Sequence, residues 1–383
     1  MGILRVYLAL CVVADHAGTV FPWQMHNGSQ AVQIFYIISG FYMAMVLSDH
    51  RYAKPRDFYL SRFLRIFPPY WIALLATLVT SVAGGLFFNR WLLLRAYVSH
   101  PFGNNGTAGV LLAGLSNVTL VGQDWIMFLQ NDPGQSLRFT ANFWNNAHPL
   151  WHYLVIPQCW SIGVELTFYA FAPYLNRARS LWLAGIALGA FAARLLAYRY
   201  LGLAHDPWSY RFFPFEISLF LFGMLGYRLY VRTKPHHPSP RWRSISLPSY
   251  VIGAAALLLV CYLHLRVVAC LAHFMQPELA LLATYPFSIL AMPVLFFAFG
   301  SQKLDRVIGE LSYPIYLIHY IVIIVVITVL GYSGVNIQTG ISSALVSILL
   351  SILFYRGFIA RLDRKRHSLT IKRSELRNTA DGV

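Results

Sequence analysis

The chain has 383 residues, of which 57% are hydrophobic and only 11% are charged, and its mean hydropathy is +0.55. A soluble domain is about half apolar and about a quarter charged, so this composition excludes both a water-soluble globular protein and a disordered one. The 30 Lys and Arg residues outnumber the 14 acidic residues and give a formal net charge of +16. In a soluble protein such a charge suggests nucleic acid, whereas in a membrane protein its position along the chain decides its meaning.

The apolar residues form about ten segments that are long enough to cross a bilayer as helices. They are twice as long as a barrel strand and show no two-residue alternation, which argues against a transmembrane barrel. The sequence therefore predicts an all-α polytopic membrane protein with about ten transmembrane helices. The segments lie at about 3–22, 30–48, 64–84, 157–175, 181–203, 212–230, 248–265, 279–299, 309–331 and 338–357.

The basic residues are concentrated on one side of this predicted topology. If the N-terminus is cytoplasmic, Arg5 and the inner segments hold 23 of the 30 basic residues, and the outer connections 23–29 and 332–337 hold none. The positive-inside rule then predicts that both termini are cytoplasmic. We expect one integral-membrane domain at 1–357 and a basic cytoplasmic tail at 358–383 that lies near anionic lipid rather than nucleic acid.

A long outer loop is predicted at about 85–156. Its second half is rich in Trp and Asn, including Trp125, Trp144 and Trp151. Aromatic faces beside amides suit a sugar, because its C–H faces stack and its hydroxyls need hydrogen bonds. The alternative interpretation is an aromatic belt at the membrane interface.

Ionisable residues within a span are costly, so each is a functional hypothesis. The first span contains Arg5, Asp15 and His16. Eleven residues separate Arg5 from His16, which places both on one helix face with a rise of about 16 Å between them. Asp15 lies about 100° to one side. An anion held near the cytoplasmic surface by Arg5 could therefore extend towards His16.

The fourth span contributes a carboxylate, Glu165. Its distance along the span predicts a depth in the bilayer similar to that of His16. A buried carboxylate needs a partner, and a buried imidazole needs one if it is to act as a base. A polar contact between helices without chemistry is the alternative.

Three further ionisable residues lie in or beside predicted spans. Arg62 and Arg65 are three residues apart at the cytoplasmic entry to the third span, where two guanidinium groups suit a phosphate. Ordinary positive-inside anchoring is the alternative for this pair. His319 lies about ten residues into the ninth span and is either a second polar site or a satisfied core histidine.

Five motifs occur in an order that resembles the bacterial membrane-bound acyltransferase 3 family. They are Arg5-x10-His16, the segment Ala31-Val-Gln-Ile-Phe-Tyr-Ile-Ile-Ser-Gly-Phe41, Arg62-x-x-Arg65, the segment Trp160-Ser-Ile-Gly-Val-Glu165-x-x-Phe-Tyr169, and Ser312-Tyr-Pro-Ile-Tyr-Leu-Ile-His319. The resemblance extends from residue 5 to about 357. It implies a ten-span core that transfers an acyl group, commonly acetyl, from cytoplasmic acyl-CoA to hydroxyls of an extracytoplasmic glycan or lipo-oligosaccharide. Many members also have a C-terminal hydrolase-like domain, which the residues up to 383 do not include.

The resemblance implies a role for each candidate residue. Arg62 and Arg65 would hold the phosphates of CoA, and Arg5 would position CoA or its carbonyl group. His16 would act as the general base, with Asp15 or Glu165 orienting it, or as a transient acyl carrier. Weaker candidates for contacts with the substrate are Ser161, His319, Trp144 and Trp151.

The leading hypothesis is thus an acyl-CoA-dependent O-acyltransferase of a bacterial plasma membrane. It predicts acyl-CoA as donor substrate, a saccharide or glycolipid acceptor, contacts with membrane lipids, no tightly bound cofactor, no metal ion and a possible homo-oligomer. A polytopic transporter or flippase of glycans or lipids is the alternative. A flippase needs no CoA site, so the Arg5 and His16 pair together with the two cytoplasmic arginines favours the enzyme.

Overall fold

A computed structural model describes residues 1–48, 52, 54–99, 107–131, 137–146, 148–233, 246–274, 280, 282–300 and 302–364. Most of the predicted tail at 358–383 therefore lies outside the described residues, as do parts of the predicted outer loop at 85–156. The structure is about 80% helical.

The helices follow the predicted apolar segments closely. In chain order they are α1 (Gly2–Ala17), α2 (Gly28–Ser48), α3 (Pro55–Phe88), α4 (Arg95–Ser99), α5 (Thr107–Thr119), α6 (Gln123–Ile126), α7 (Trp160–Arg177), α8 (Ser180–Leu201), α9 (Phe213–Thr233), α10 (Leu247–Leu271), α11 (Thr284–Phe299), α12 (Lys303–Glu310), α13 (Ser312–Leu330) and α14 (Ile337–Phe354). A π-helix, Tyr355–Ile359, continues α14. Within the described part of the outer loop, strands β1 (Leu129–Asn131) and β2 (Leu137–Phe139) pair antiparallel.

Six helical segments among the described residues are long and apolar enough to cross a membrane. This confirms an all-α protein with several membrane-spanning helices, whereas the number of about ten spans and the cytoplasmic termini stay predictions. The segments are Gly28–Ser48, Pro55–Phe88, Ser180–Leu201, Leu247–Leu271, Lys303–Leu330 and Ile337–Arg364.

The chain divides into two compact units, and the single integral-membrane domain expected at 1–357 stays a prediction. The first unit comprises Met1–Tyr52, Tyr174–Gly189 and Ser218–Ala360. The second comprises Ala53–Pro173, Ala190–Ile217 and the residues after 360. Each unit is described separately below.

Helix α1 lies at the centre of the first unit and contacts α2, α12, α13 and α14. It ends at Ala17, five residues before the predicted end of the span. Gly18 has a φ of 109°, and its N–H donates to the carbonyl oxygen of Ala14, which ends the helix. A Cβ at Gly18 would lie 2.3 Å from the carbonyl oxygen of Asn336, so this turn has room for glycine alone.

Helices α2 and α9 approach each other closely in the first unit. A Cβ added to Gly40 would lie 1.9 Å from the carbonyl oxygen of Phe220, and one added to Gly223 would lie 2.0 Å from that of Ile37. Small residues allow such close backbone approach in a membrane, where packing replaces the hydrophobic effect as the force between helices.

The second unit is held together by polar contacts between α3, α5 and the loop. The hydroxyl of Tyr70 on α3 donates to the carbonyl oxygen of Asn117 at 2.5 Å, and Gln123 Nε2 donates to the Tyr70 hydroxyl at 3.3 Å. The Asn117 side chain accepts from the N–H of Val155 at 2.9 Å and donates to the carbonyl oxygen of Tyr153 at 2.8 Å. These bonds fix the segment that leads into α7.

The crossing of α2 and α9 gives a first prediction. We expect Gly223→Ala to lower the free energy of unfolding by about 1–3 kcal/mol, because the new methyl group forces the two backbones apart. Gly189→Ala on α8 is the matched control, since a Cβ there meets no atom within 4 Å. Thermal unfolding of the detergent-solubilised variants measures the difference, and equal melting temperatures for the two variants would contradict the role of the close contact.

Candidate active site

Helix α1 carries three of the predicted site residues. Arg5 and His16 lie on this one helix, as their spacing requires. Arg5 is half-buried and its guanidinium lies beside Gly309 of α12. A Cβ added to Gly309 would be 3.7 Å from Arg5 Nη1. Asp15 and His16 are both exposed, and a Cβ on Gly28 would lie 2.7 Å from Asp15 Oδ2. The Asp15 carboxylate therefore lies beside the first residue of α2.

The structure brings His319 of α13 to His16. Their ring centroids are 5.5 Å apart and the ring planes differ by 15°. Tyr320 packs edge-on against His16, with ring centroids 5.4 Å apart and planes at 88°. His319 has no exposed surface, whereas His16 is an exposed residue, so His16 packs on a buried imidazole and also reaches the protein surface. Both interpretations of His319, a second polar site and a satisfied core histidine, stay predictions.

The hydrogen bonding of His319 defines its tautomer. Its Nδ1 lies 2.8 Å from the carbonyl oxygen of Tyr316, and a carbonyl oxygen only accepts, so Nδ1 bears the hydrogen. The other nitrogen, Nε2, is then a buried acceptor, and it has no hydrogen-bond partner among the residues that the structure describes. A buried acceptor without a donor is energetically costly, so His319 Nε2 is suited to accepting a hydrogen bond from a neighbouring group.

In the second unit a chain of contacts joins Arg62 to Glu165. The Arg62 guanidinium carbon lies 5.7 Å from the centre of the Phe58 ring, and that ring packs against Tyr169 at 6.1 Å. The Tyr169 hydroxyl donates to Glu165 Oε1 at 2.5 Å. Arg62 is buried and Glu165 is half-buried. The carboxylate is thus fixed by a tyrosine one helical turn further along α7.

The other two candidates of this region lie close by in sequence. Arg65 is half-buried, one turn beyond Arg62 on α3. Ser161 is buried in the first turn of α7, with its hydroxyl 3.5 Å from the carbonyl oxygen of Gln158. Because His16 and Arg5 belong to the first unit and these residues to the second, the predicted pairing of His16 with Glu165 stays a prediction.

The loop tryptophans form a fixed aromatic surface in the second unit. The ring of Trp144 is 62% exposed and lies 5.7 Å from the ring of Trp151. Its indole N–H donates to Asp206, which accepts two bonds of 2.5 and 2.8 Å from Arg211. The Arg211 guanidinium stacks 4.3 Å above the Trp160 ring at the start of α7. An exposed ring held in this way is suited to stacking against a sugar.

A buried carboxyl group that the sequence analysis missed lies beside the same helix. Asp124 is 3% exposed, and a Cβ on Gly163 of α7 would lie 2.9 Å from its Oδ1, which has no hydrogen-bond partner among the described residues. Burial raises the pKa of Asp124 from 3.8 to about 7. The sequence offered no signal for it, since an aspartate in a polar loop is normally exposed.

A second histidine pair was also missed. His26 Nε2 and His264 Nδ1 are 3.3 Å apart, and the Tyr7 hydroxyl lies 3.0 Å from His26 Nδ1. Burial and the neighbouring imidazole lower the pKa of His26 to about 3, so it is uncharged at neutral pH. The two rings lie 238 residues apart in sequence, which no local pattern could have joined.

The candidate site lies in a protein whose helices cross a membrane several times, and several polar groups lie on those helices. This defines the class as a multi-pass membrane protein. A family model described as an acyltransferase domain matches residues 1–356. The chain therefore belongs to the acyltransferase 3 family, which confirms the resemblance and supports acyltransferase activity. No curated protein and no solved structure matched the chain in the corresponding searches.

The raised pKa of Asp124 gives a second prediction. The folded state binds this proton more tightly than the unfolded state, so stability falls as pH rises from about 4 to about 7 and stays lower above that range. Asp124→Asn removes this titration. We expect the variant to gain melting temperature relative to wild type at pH 8 but not at pH 4, as measured in detergent by thermal unfolding. A difference that is the same at both values would contradict the assigned pKa.

Proposed function

We propose that this protein transfers an acyl group, specifically acetyl, from cytoplasmic acyl-CoA to a hydroxyl group of an extracytoplasmic saccharide or glycolipid in a bacterial plasma membrane. The observation that carries the proposal is His16 in a chain of the acyltransferase 3 family. This imidazole has an exposed face, packs on His319 and Tyr320, and shares its helix with Arg5.

His16 acts as the general base in this mechanism. It accepts the proton of the acceptor hydroxyl while that oxygen attacks the thioester carbonyl carbon. The carbon–sulfur bond breaks, and the CoA thiolate takes the proton from the His16 imidazolium, so that an ester and free CoA are formed. The alternative divides the transfer into two steps, in which His16 first bears the acyl group and then passes it to the hydroxyl.

Arg62 and Arg65 hold the CoA phosphates in this proposal. Two guanidinium groups one turn apart on α3 can grip phosphate oxygens with paired hydrogen bonds. Stacking of Arg62 on Phe58 limits the freedom of its side chain before the donor binds. Arg5 positions CoA or its carbonyl group from the N-terminal part of α1.

The carboxylates orient the base, and the remaining candidates contact the acceptor. Either Asp15 or Glu165 stabilises the His16 imidazolium, and the bond from Tyr169 keeps the Glu165 carboxylate in one orientation. Trp144 and Trp151 stack on the sugar, and Ser161 contacts the substrate from the first turn of α7. The surface that Asp206 and Arg211 hold around Trp144 supports this assignment over a membrane-interface belt.

Replacement of the base gives a third prediction. We expect His16→Ala to lower acyl transfer by about 10²- to 10⁴-fold, because the hydroxyl then loses its proton acceptor. Vesicles from expressing cells are incubated with radiolabelled acetyl-CoA, and label in extracytoplasmic glycan is counted. His273→Ala, at an exposed histidine beyond α10, is the control and should match wild type. Equal transfer by His16→Ala and wild type would refute His16 as the base, and the absence of any acylated glycan would favour a transporter.

The arginine pair gives a fourth prediction. We expect Arg62→Ala with Arg65→Ala to raise KM for acetyl-CoA by about tenfold or more, since a hydrogen bond to a charged group contributes about 1.5–3 kcal/mol. The KM for the acceptor should change much less. Arg56→Ala is the control, because Arg56 is an exposed arginine on the same helix. A loss confined to acceptor affinity would contradict the assignment to CoA.

A further inference from the structure

We infer that His319 is a positioning residue for His16, and that its Nε2 accepts a hydrogen bond from the protonated His16 during acyl transfer. This inference rests on the proposed function, because it assigns His319 a role only if His16 is the base.

The packing places the two imidazoles within reach of each other. The ring centroids of His16 and His319 are 5.5 Å apart, with planes differing by 15°. The rings of His26 and His264 provide a comparison in the same unit, since their centroids are also 5.5 Å apart, their planes differ by 12°, and their nearest nitrogens lie 3.3 Å apart. Two imidazoles in this arrangement can therefore join through a nitrogen–nitrogen hydrogen bond after a small rotation.

The tautomer of His319 makes its Nε2 a hydrogen-bond acceptor. Its Nδ1–H is occupied by the carbonyl oxygen of Tyr316, so Nε2 has a lone pair and no hydrogen. A neutral imidazole of this kind cannot donate from Nε2 and can only accept a hydrogen bond there. It does stabilise an imidazolium N–H, because a bond to a charged donor is roughly twice as strong as a neutral one.

The surroundings keep this acceptor available for His16. His319 has no exposed surface, so bulk water does not compete for Nε2. Tyr320 packs edge-on against both rings, at 5.4 Å from His16 and 6.4 Å from His319. Below the pair, α1 and α13 meet through apolar residues that include Val13 and Ile315, which fix the spacing of the two helices.

The consequence for the reaction is a stabilised intermediate charge. When His16 removes the hydroxyl proton, it becomes positive, and the bond to His319 Nε2 lowers the free energy of that state. The proton then passes from His16 to the CoA thiolate, and the bond weakens again. His319 neither gains nor loses a proton in the net reaction, so the effect falls on kcat rather than on binding of acetyl-CoA.

The test, and the fifth prediction, uses substitutions at 319 that separate packing from hydrogen bonding. His319→Phe keeps an aromatic ring without an acceptor, and His319→Asn can reach the Tyr316 carbonyl but not the Nε2 position. His319→Gln can place its amide oxygen where Nε2 stood. Wild type and these three variants are compared in vesicles with radiolabelled acetyl-CoA, and kcat and KM for acetyl-CoA are measured.

We expect His319→Phe and His319→Asn to lower kcat by about 10- to 100-fold with KM nearly unchanged, and His319→Gln to recover much of the loss. A residue that only fills space would give the opposite order, with Phe the best tolerated, and that order would overturn the inference. If Phe prevents folding, the comparison of Gln with Asn still decides, and equal activity of these two would also overturn it.

His264→Phe is the control, because it removes a buried imidazole of the same unit from the other pair. It should keep the kcat of wild type. The outcomes for the two proposals differ: full activity of His16→Ala refutes the proposed base, whereas an inactive His16→Ala beside a fully active His319→Phe refutes only the role of His319.

Discussion

The anchoring of α1 at both ends is the constraint on which the site depends. At one end the carboxylate of Asp305 accepts the first amide N–H groups of the helix, at 2.6 and 3.0 Å, which a helix terminus leaves without partners. At the other end the N–H of Asn336 donates to the carbonyl oxygen of Ala17 at 3.2 Å. Since the rise per residue is constant, two fixed ends determine the height of His16 along the helix. That height is what sets its ring opposite His319 on α13.

Several buried polar groups on the apolar helices of this protein are paired with one another. A charge in an apolar medium is costly unless a partner compensates it. Arg194 and Glu216, which are both fully buried in the second unit, form a bond of 2.5 Å. Glu165 likewise accepts from Tyr169. His319 Nε2 has no hydrogen-bond partner among the described residues, and in the proposed mechanism the protonated His16 is the donor that compensates it.

The helical architecture was predictable because apolar segments of bilayer length permit few alternatives, and the helices coincide with most of the predicted segments. The end of the first helix was not predictable from the sequence. Apolar residues continue past Gly18, whereas the backbone turns at Gly18. The partner of Glu165 could have been found, because Tyr169 lies four residues further along the same helix. The contact between His16 and His319 could not have been predicted. Residue spacing gives the depth of each residue in the bilayer, but it does not give the rotation of each helix about its axis.

The two histidine pairs show why similar geometry need not give similar chemistry. His26 is buried, bonded to Tyr7 and His264, and uncharged at neutral pH, so it is suited to holding helices together. His16 has the same ring separation from its partner but an exposed face, where a substrate hydroxyl can approach. In the proposed mechanism, the neutral acceptor behind His16 complements the carboxylate of Asp15 or Glu165. It stabilises the imidazolium while it exists, yet it adds no permanent charge to the apolar interior between turnovers. In the proposed mechanism, the exposure of His16 gives the substrate hydroxyl access to it, and the uncharged buried acceptor stabilises its charged form.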